Sequence, residues 1–218
     1  MSDMGSADTV RQRIKQGQAV VAFDFDGTLT IRDSFTAFLR WRAGAAGWML
    51  GLAKMAPAVA AYAGDRDRGR IKAASVRALL RGVERRELEA DAEQFADLMW
   101  DRFMRPDALA CWNAWGDKGA HRVIVTASPE TTVAPFARRL GAEALLGTEL
   151  VFDADDRVSG GFAGANCRGA EKVRRLQAVY GADIQLAAAY GDTSGDTEMI
   201  AIAGEKGFRV FTGRPDRA

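Results

Sequence analysis

Alternating apolar and helical stretches along the chain predict strands and helices in turn. Mostly apolar residues at 19–23 run into a carboxylate, and similar runs follow later, which is typical of buried parallel strands. The predicted sheet strands cover residues 19–23, 121–125, 144–146, 184–190 and 208–211. A hairpin is predicted over residues 148–162. One helix is predicted over residues 10–18, and another, after the strand at 184–190, ends at residue 203. This alternation predicts an α/β fold with a doubly wound parallel sheet.

Strand signals vanish between residue 33 and about residue 105. Apolar residues recur there at helical spacing, with glycines where turns are expected. The predicted helices cover residues 34–42, 48–62, 70–80 and 84–103. We interpret this block as an all-helical cap inserted after the first strand. The predicted division is a catalytic core of residues 1–32 and 106–218 and a cap of residues 33–105.

Residues 44–63 of the cap are almost entirely apolar and include one charge, Lys54. Their length permits a membrane span. Ala and Gly dominate, however, and a central lysine costs about 2.5–3.5 kcal/mol on insertion. We therefore favour two short helices in the core of the cap. The alternative is an apolar surface with Trp41, Trp48 and Met49 that meets a lipid-like substrate or makes peripheral contact with a membrane.

Composition indicates a globular protein with a balanced charge. Of 218 residues, 48% are hydrophobic, and the net charge of +1 predicts no nucleic-acid partner. Two cysteines and one histidine supply neither a disulfide framework nor a zinc site, which favours the cytoplasm. Residues 1–9 are small and polar without an apolar signal core, so we expect a mobile leader.

Candidate chemistry begins where the first strand ends. Asp24 and Asp26 are two residues apart, and Gly27 and Thr28 follow at once. Ligands of open α/β sheets lie beyond the carboxyl ends of the strands. Two carboxylates there suit a hard cation, while Gly27 allows a tight turn whose N–H groups face an anion. The pattern therefore indicates a site for a metal ion and a phosphate.

Two later strands end in residues that suit the same site. Thr126 ends one strand, and Asp192 and Asp196 follow the other, while Lys172 begins a helix between them. Four aspartates with one lysine leave a charge of −3, which calls for a divalent cation. Mg²⁺, held by one or two carboxylates and a substrate phosphate, fits this set. The lysine and the threonine would then hold the phosphate for attack by the first aspartate.

In this order the chain resembles the haloacid dehalogenase superfamily. Its four motifs correspond to residues 24–28, Thr126, Lys172 and the Asp192 to Asp196 turn. The helical block looks like the cap of the phosphoserine-phosphatase-like branch, subfamily IB. The start of the cap, its apolar stretch and residues 167–172 resemble the bacterial branch that includes phosphatidylglycerophosphatase C.

The resemblance implies phosphomonoester hydrolysis through an aspartyl-phosphate intermediate. Asp24 is the implied nucleophile, with a pKa low enough for it to be ionised at pH 7. Asp26 is the implied acid for the leaving alcohol and then the base for the attacking water. The implied Mg²⁺ ligands are Asp24, the backbone carbonyl of Asp26, Asp192 and Asp196. The implied phosphate contacts are Thr126, Lys172, and backbone N–H groups at Ala127 and near Gly27.

The substrate implied is a small or lipid-linked phosphate monoester such as phosphatidylglycerophosphate. The alternative is a small-metabolite phosphatase like the phosphoserine phosphatases, but Asp33 stands where they read the substrate amine with a glutamate, and Gly195 replaces an asparagine. As a weaker hypothesis, one of Arg66, Arg68, Arg70 and Arg77 reaches from the cap to the substrate. A rival class is a signalling receiver domain or a non-catalytic phosphate-binding domain. The acidic pair near the chain's end and the helical insertion argue against a receiver.

Overall fold

The computed structural model describes residue 9 and residues 11–14, 16–65 and 68–215. Most of the predicted leader, residues 1–8, lies outside the described residues. Of the predicted helix at 10–18, residues 11–14 are helical, and residues 10 and 15 lie outside the described part.

A five-stranded parallel sheet forms the centre of the fold, in the order β3-β2-β1-β6-β7. Its strands are β1 Val20–Phe23, β2 His121–Pro129, β3 Ala144–Thr148, β6 Leu186–Gly191 and β7 Ala203–Phe208. Val21 and Phe23 belong to the apolar cluster on one face, and Val20 and Ala22 to the cluster on the other. Because both faces are covered, the central strand is apolar throughout. The predicted α/β sheet with helices on both faces is confirmed.

Besides the helical residues 9 and 11–14 and the short helical turn at Phe25–Leu29, seven helices flank or extend this sheet among the described residues. They are α1 Ser34–Asp65, α2 Arg68–Leu79, α3 Arg85–Phe103, α4 Pro106–Asp117, α5 Glu130–Leu140, α6 Ala170–Tyr180 and α7 Thr197–Ala201. Helix α1 is interrupted at Gly44, whose φ of 64° and ψ of 179° are not helical. Glycine tolerates that conformation, so the predicted division between two helices near this residue is confirmed.

The inserted helices leave and rejoin the core through two paired segments. The amide of Ile31 donates to the carbonyl of Phe103 over 2.8 Å, and the amide of Arg105 donates to the carbonyl of Leu29 over 2.9 Å. The insertion also shares its aromatic core with the sheet domain, since Phe95 of α3 packs against Phe136 of α5 at 6.4 Å. The division into core and cap at residues 33 and 105 stays a prediction.

The predicted hairpin is present as β4 Leu150–Phe152 and β5 Val158–Phe162, paired antiparallel. It is hydrogen-bonded to the segment that joins α2 to α3. The amide of Gly82 donates to the carbonyl of Val158, the amide of Val158 to the carbonyl of Val83, and the amide of Arg85 to the carbonyl of Asp156. The hairpin therefore belongs structurally with the inserted helices as much as with the sheet.

The end of the chain differs from the prediction. Helix α7 ends at Ala201 and β7 covers Ala203–Phe208, whereas the sequence predicted a strand at 208–211. Strand β7 lies at the sheet edge and pairs with β6 alone, so it does not need the apolar run that marks a central strand. Phe211 is apolar for another reason, because it packs against Tyr190 with ring centroids 5.2 Å apart.

None of the helices in the described part of the chain combines the length and the hydropathy that crossing a membrane requires. The membrane span that the length of residues 44–63 permits is therefore not supported.

Candidate active site

Lys172 links the ends of three strands at the carboxyl edge of the sheet. Its Nζ lies 2.6 Å from Oδ1 of Asp24 and 2.7 Å from Oδ1 of Asp196, and it also donates to the carbonyl of Val125. The lysine side chain is 1% exposed, so both ion pairs are shielded from water. Burial alone would lower the pKa of Lys172, but the two carboxylates outweigh it and hold the pKa above its usual range. The lysine is therefore charged.

Three aspartates converge beside this lysine. One carboxylate oxygen each of Asp24, Asp192 and Asp196 lies within 4.8 Å of the other two. Oδ2 of Asp196 also accepts hydrogen bonds from the amide and hydroxyl of Thr193, both at 2.9 Å, which fixes its orientation. The three carboxylates carry a charge of −3, and Lys172 offsets only one of these charges. Hard oxygen donors at this spacing therefore fit a divalent cation such as Mg²⁺. Three of the four predicted metal ligands are thus brought together.

Burial raises the pKa of Asp24 to about 7. Lys172 opposes this shift, while the negative charges of Asp196 and Asp26 add to it. This pKa is raised above the ordinary, low value expected from the sequence, because a sequence does not reveal how completely the carboxyl is removed from water. A divalent cation in contact with the carboxylate would favour the ionised form again.

The Asp26 side chain is turned toward the inserted helices. Its Oδ1 accepts hydrogen bonds from the amide of Ser34, at 2.6 Å, and from the Ser34 hydroxyl, while its Oδ2 accepts one from the Ser128 hydroxyl at 2.5 Å. Burial and the charge of Asp33 raise the pKa of Asp26, and Lys72 and the hydroxyl donors oppose them. A raised pKa suits a carboxyl that must carry a proton before it donates one. Metal binding through the carbonyl of Asp26 stays a prediction.

Position 27 requires glycine for two reasons, its backbone conformation and the close approach of the Asp192 side chain. Its φ is 89°, and a Cβ built on it would come within 2.4 Å of Oδ2 of Asp192. The same turn is held by Thr30, whose hydroxyl accepts from the amide of Gly27 at 3.3 Å, and by a hydrogen bond from the Thr28 hydroxyl to Asp192. The loop after β1 is thereby held against Asp192 of the cluster. Phosphate binding by this loop stays a prediction.

Thr126 and Ala127 lie at the end of β2, next to the site. The Thr126 hydroxyl is buried and accepts from the amide of Ser128 at 3.0 Å. The carbonyl of Ala127 accepts from Nζ of Lys72 at 2.8 Å and from the hydroxyl of Thr148 at 2.9 Å. These bonds order the segment, and its contact with a phosphate stays a prediction.

Sequence reasoning missed three residues of the site: Lys72, Ser34 and Ser128. Lys72 comes from α2. Burial lowers the pKa of Lys72, although the negative charges of Asp26 and Asp33 raise it. The hypothesis of a cation reaching from the cap named arginines instead, of which Arg66 lies outside the described residues. A lysine in an amphipathic helix gives no sequence signal of this role, whereas Ser128, two residues after Thr126, could have been noticed.

Asp33 stands at the start of α1, where its Oδ1 accepts from the amide of Thr36 at 2.6 Å. This is an ordinary helix cap, which satisfies an otherwise unpaired amide. Its charge also acts on Asp26 and Lys72, so it lies near both of these side chains. Its part in substrate recognition stays a prediction.

Comparison with known proteins places this geometry in a family. The haloacid dehalogenase-like hydrolase family matches residues 21–201. Protein CicA of Caulobacter vibrioides is 57% identical over 196 residues, which cover 90% of this chain and 88% of that protein.

Solved structures agree at the level of the fold. A protein of unknown function from Bordetella pertussis aligns with a TM-score of 0.66 at 21% identity, covering 84% of this chain and 86% of that one. A phosphoserine phosphatase, solved as a phospho-aspartyl intermediate analogue, aligns with a TM-score of 0.57 at 19% identity, covering 86% and 84%. The chain belongs to the haloacid dehalogenase-like hydrolase family.

Proposed function

We propose that this hydrolase is a Mg²⁺-dependent phosphatase that cleaves phosphate monoesters through a phosphorylated Asp24. The observation that carries the proposal is the convergence of Asp24, Asp192 and Asp196 beside the buried Lys172. Family membership supports hydrolysis, and the arrangement of charges supports a phosphate as the group transferred.

In the first step, a carboxylate oxygen of Asp24 attacks phosphorus and the bond from phosphorus to the leaving oxygen breaks. Asp26 gives its proton to that oxygen, so the product leaves as an alcohol rather than an alkoxide. The raised pKa of Asp26 favours the protonated form that this step needs. Lys172 is placed to offset the negative charge on the transferred phosphoryl group.

In the second step, Asp26 accepts a proton from water as the water oxygen attacks phosphorus. The bond from phosphorus to Asp24 breaks, which releases inorganic phosphate and restores both carboxyl groups. Hydrogen bonds from Ser34 and Ser128 hold Asp26 in place for both proton transfers. Asp24, Asp192 and the carbonyl of Asp26, together with Asp196, would hold Mg²⁺. The positive charge of the ion would offset the repulsion between the carboxylates and a phosphate dianion.

Removal of divalent cations should stop the reaction. We expect chelation to abolish phosphate release from an aryl phosphate, and added Mg²⁺ to restore it. Ca²⁺ should replace Mg²⁺ poorly because it prefers more ligands at longer distances. The measurement is the rate of phosphate release in cation-free buffer with each metal added back. Full activity after exhaustive chelation would exclude the proposed role of the carboxylates as metal ligands.

For the substrate, we propose a lipid-linked phosphate monoester, with phosphatidylglycerophosphate as the example, and membership in subfamily IB beside phosphatidylglycerophosphatase C-type enzymes. The support is the sequence resemblance together with the exposed apolar side chains of α1, such as Met49 and Leu50. We also propose a cytoplasmic location, in keeping with two unpaired cysteines.

A soluble amino-acid ester is the second candidate. Asp33 and Lys72 carry opposite charges beside the proposed acid, an arrangement that could bind the amine and carboxylate of a zwitterion such as phosphoserine. This candidate shares its chemistry with the first and differs in the leaving group alone.

Relative turnover of the two esters separates these candidates. We expect faster Mg²⁺-dependent phosphate release from phosphatidylglycerophosphate micelles than from phosphoserine, because only the lipid uses the apolar surface. Equal or faster hydrolysis of phosphoserine, with a KM raised in the Lys72→Met variant, would favour the zwitterion instead. An aryl phosphate serves as the control for catalysis independent of the leaving group.

A further inference from the structure

The second half of α1, after the break at Gly44, presents an apolar side to solvent. Met49 is 65% exposed, Leu50 58%, Val59 48% and Leu52 39%. Across residues 45–60, all of which the structure describes, the exposed positions carry one charged side chain, that of Lys54. A helix that faces water on this side would carry polar residues there. We name this surface, defined by Met49, Leu50, Leu52 and Val59, the apolar face.

The opposite side of the helix is already packed, so the apolar face is not the side that holds the cap together. Gly51 and Met55 are buried, and both recur at helical spacing with the half-buried positions 58 and 62. Gly51 lies so close to α2 that a Cβ there would come within 2.3 Å of a Leu79 methyl group. The contact of α1 with α2 therefore uses one side and leaves the apolar face open.

The segment of the chain that carries the apolar face is strongly basic in sequence. Residues 34–83, which include α1 and α2, contain nine Lys and Arg against two Asp, a net charge of +7 in a chain of net charge +1. Arg42 is paired with Glu87 and Asp91 of α3, and Lys72 lies in the site. Without these two cations, residues 34–83 still carry a net charge of +5. Lys54 stands one turn after Leu50, at the edge of the apolar face.

We propose that the apolar face is a docking surface for an anionic lipid membrane. Apolar side chains that enter the interface beside an excess of cations are the combination that binds anionic bilayer surfaces. A second copy of this chain fits less well, because a two-fold interface would bring two segments of charge +7 together. The inference rests on exposure and charge and does not depend on the proposed hydrolysis.

Vesicle flotation of the full chain tests the proposal. The protein should float with vesicles that contain phosphatidylglycerol, and much less with phosphatidylcholine alone or at high salt. The double variant Met49→Glu with Leu50→Glu should bind at least about tenfold more weakly, because two apolar side chains and the local charge are changed. Lys54→Glu should weaken binding to anionic vesicles more than binding to neutral ones.

Leu98→Glu is the matched control, since Leu98 is 50% exposed and belongs to a different helix, α3. It should bind vesicles as the unchanged protein does, and thermal unfolding confirms that each variant is folded. Equal loss in the control, or no flotation of the unchanged protein, would overturn the proposal. A dimer in sedimentation that the double variant abolishes, without flotation, would show that a second copy covers the face. Because flotation needs no turnover, failure here is distinguishable from failure of the proposed phosphatase activity.

Discussion

Replacement of Asp24 by asparagine is expected to lower kcat at least about a thousandfold. The amide is a poor nucleophile, and in the proposed mechanism no other carboxylate replaces Asp24 as the nucleophile. Removal of this carboxylate also ends its ion pair with Lys172, which retains Asp196 as a partner at 2.7 Å. The fold should therefore survive, and the loss should be specific to chemistry.

Phosphate release and covalent labelling together measure this effect. Brief reaction of the unchanged protein with phosphate-labelled substrate should leave a hydroxylamine-sensitive label, which the Asp24→Asn variant should lack. Asp183→Asn makes the same chemical change at an exposed position and serves as the control. Residual activity above about a thousandth of that of the unchanged protein would contradict the assignment of Asp24 as nucleophile.

Replacement of Lys172 by methionine is expected to lower kcat/KM about a hundred- to a thousandfold. The ammonium group pairs with two carboxylates, and in the proposed mechanism it also offsets phosphoryl charge; methionine can do neither. Its loss also leaves Asp24 and Asp196 buried without their cation, and removing one partner of a buried pair costs about 3–5 kcal/mol. The variant should unfold at a lower temperature than the unchanged protein.

A divalent cation should compensate for part of that loss. We therefore expect Mg²⁺ to raise the unfolding temperature of Lys172→Met by more than it raises that of the unchanged protein. Lys206→Met, a change of the same kind at an exposed position, should leave both activity and the response to Mg²⁺ unaltered. A smaller Mg²⁺ response in Lys172→Met would argue that the lysine helps rather than opposes metal binding.

The centre of the site could be predicted because its residues follow strands. Asp24, Thr126 and Asp192 each come directly after or within a strong apolar run, and parallel strands bring their carboxyl ends to one edge. Lys172 was expected because it begins a helix between these strands and matches the third motif of the resemblance, and it lies between Asp24 and Asp196. Local sequence therefore determined the part of the site that the sheet builds.

The rest depends on contacts that sequence does not encode locally. Lys72 reaches the carbonyl of Ala127 from a helix 55 positions earlier, and its role follows from how the insertion packs on the sheet. Burial sets the raised pKa of Asp24, and no neighbouring residue in the sequence reveals it. The edge strand β7 was missed for a related reason, because a strand paired on one side can be polar.

The hairpin of β4 and β5 constrains how the inserted helices could move. Its hydrogen bonds to Gly82, Val83 and Arg85 join it to the segment directly after α2. A displacement of α1 and α2 that left the hairpin behind would have to break these bonds, so the two would travel as one lid. Amide hydrogen exchange would then show Gly82 and Val158 keeping their protection together during such a movement, although 76 positions separate them in the chain.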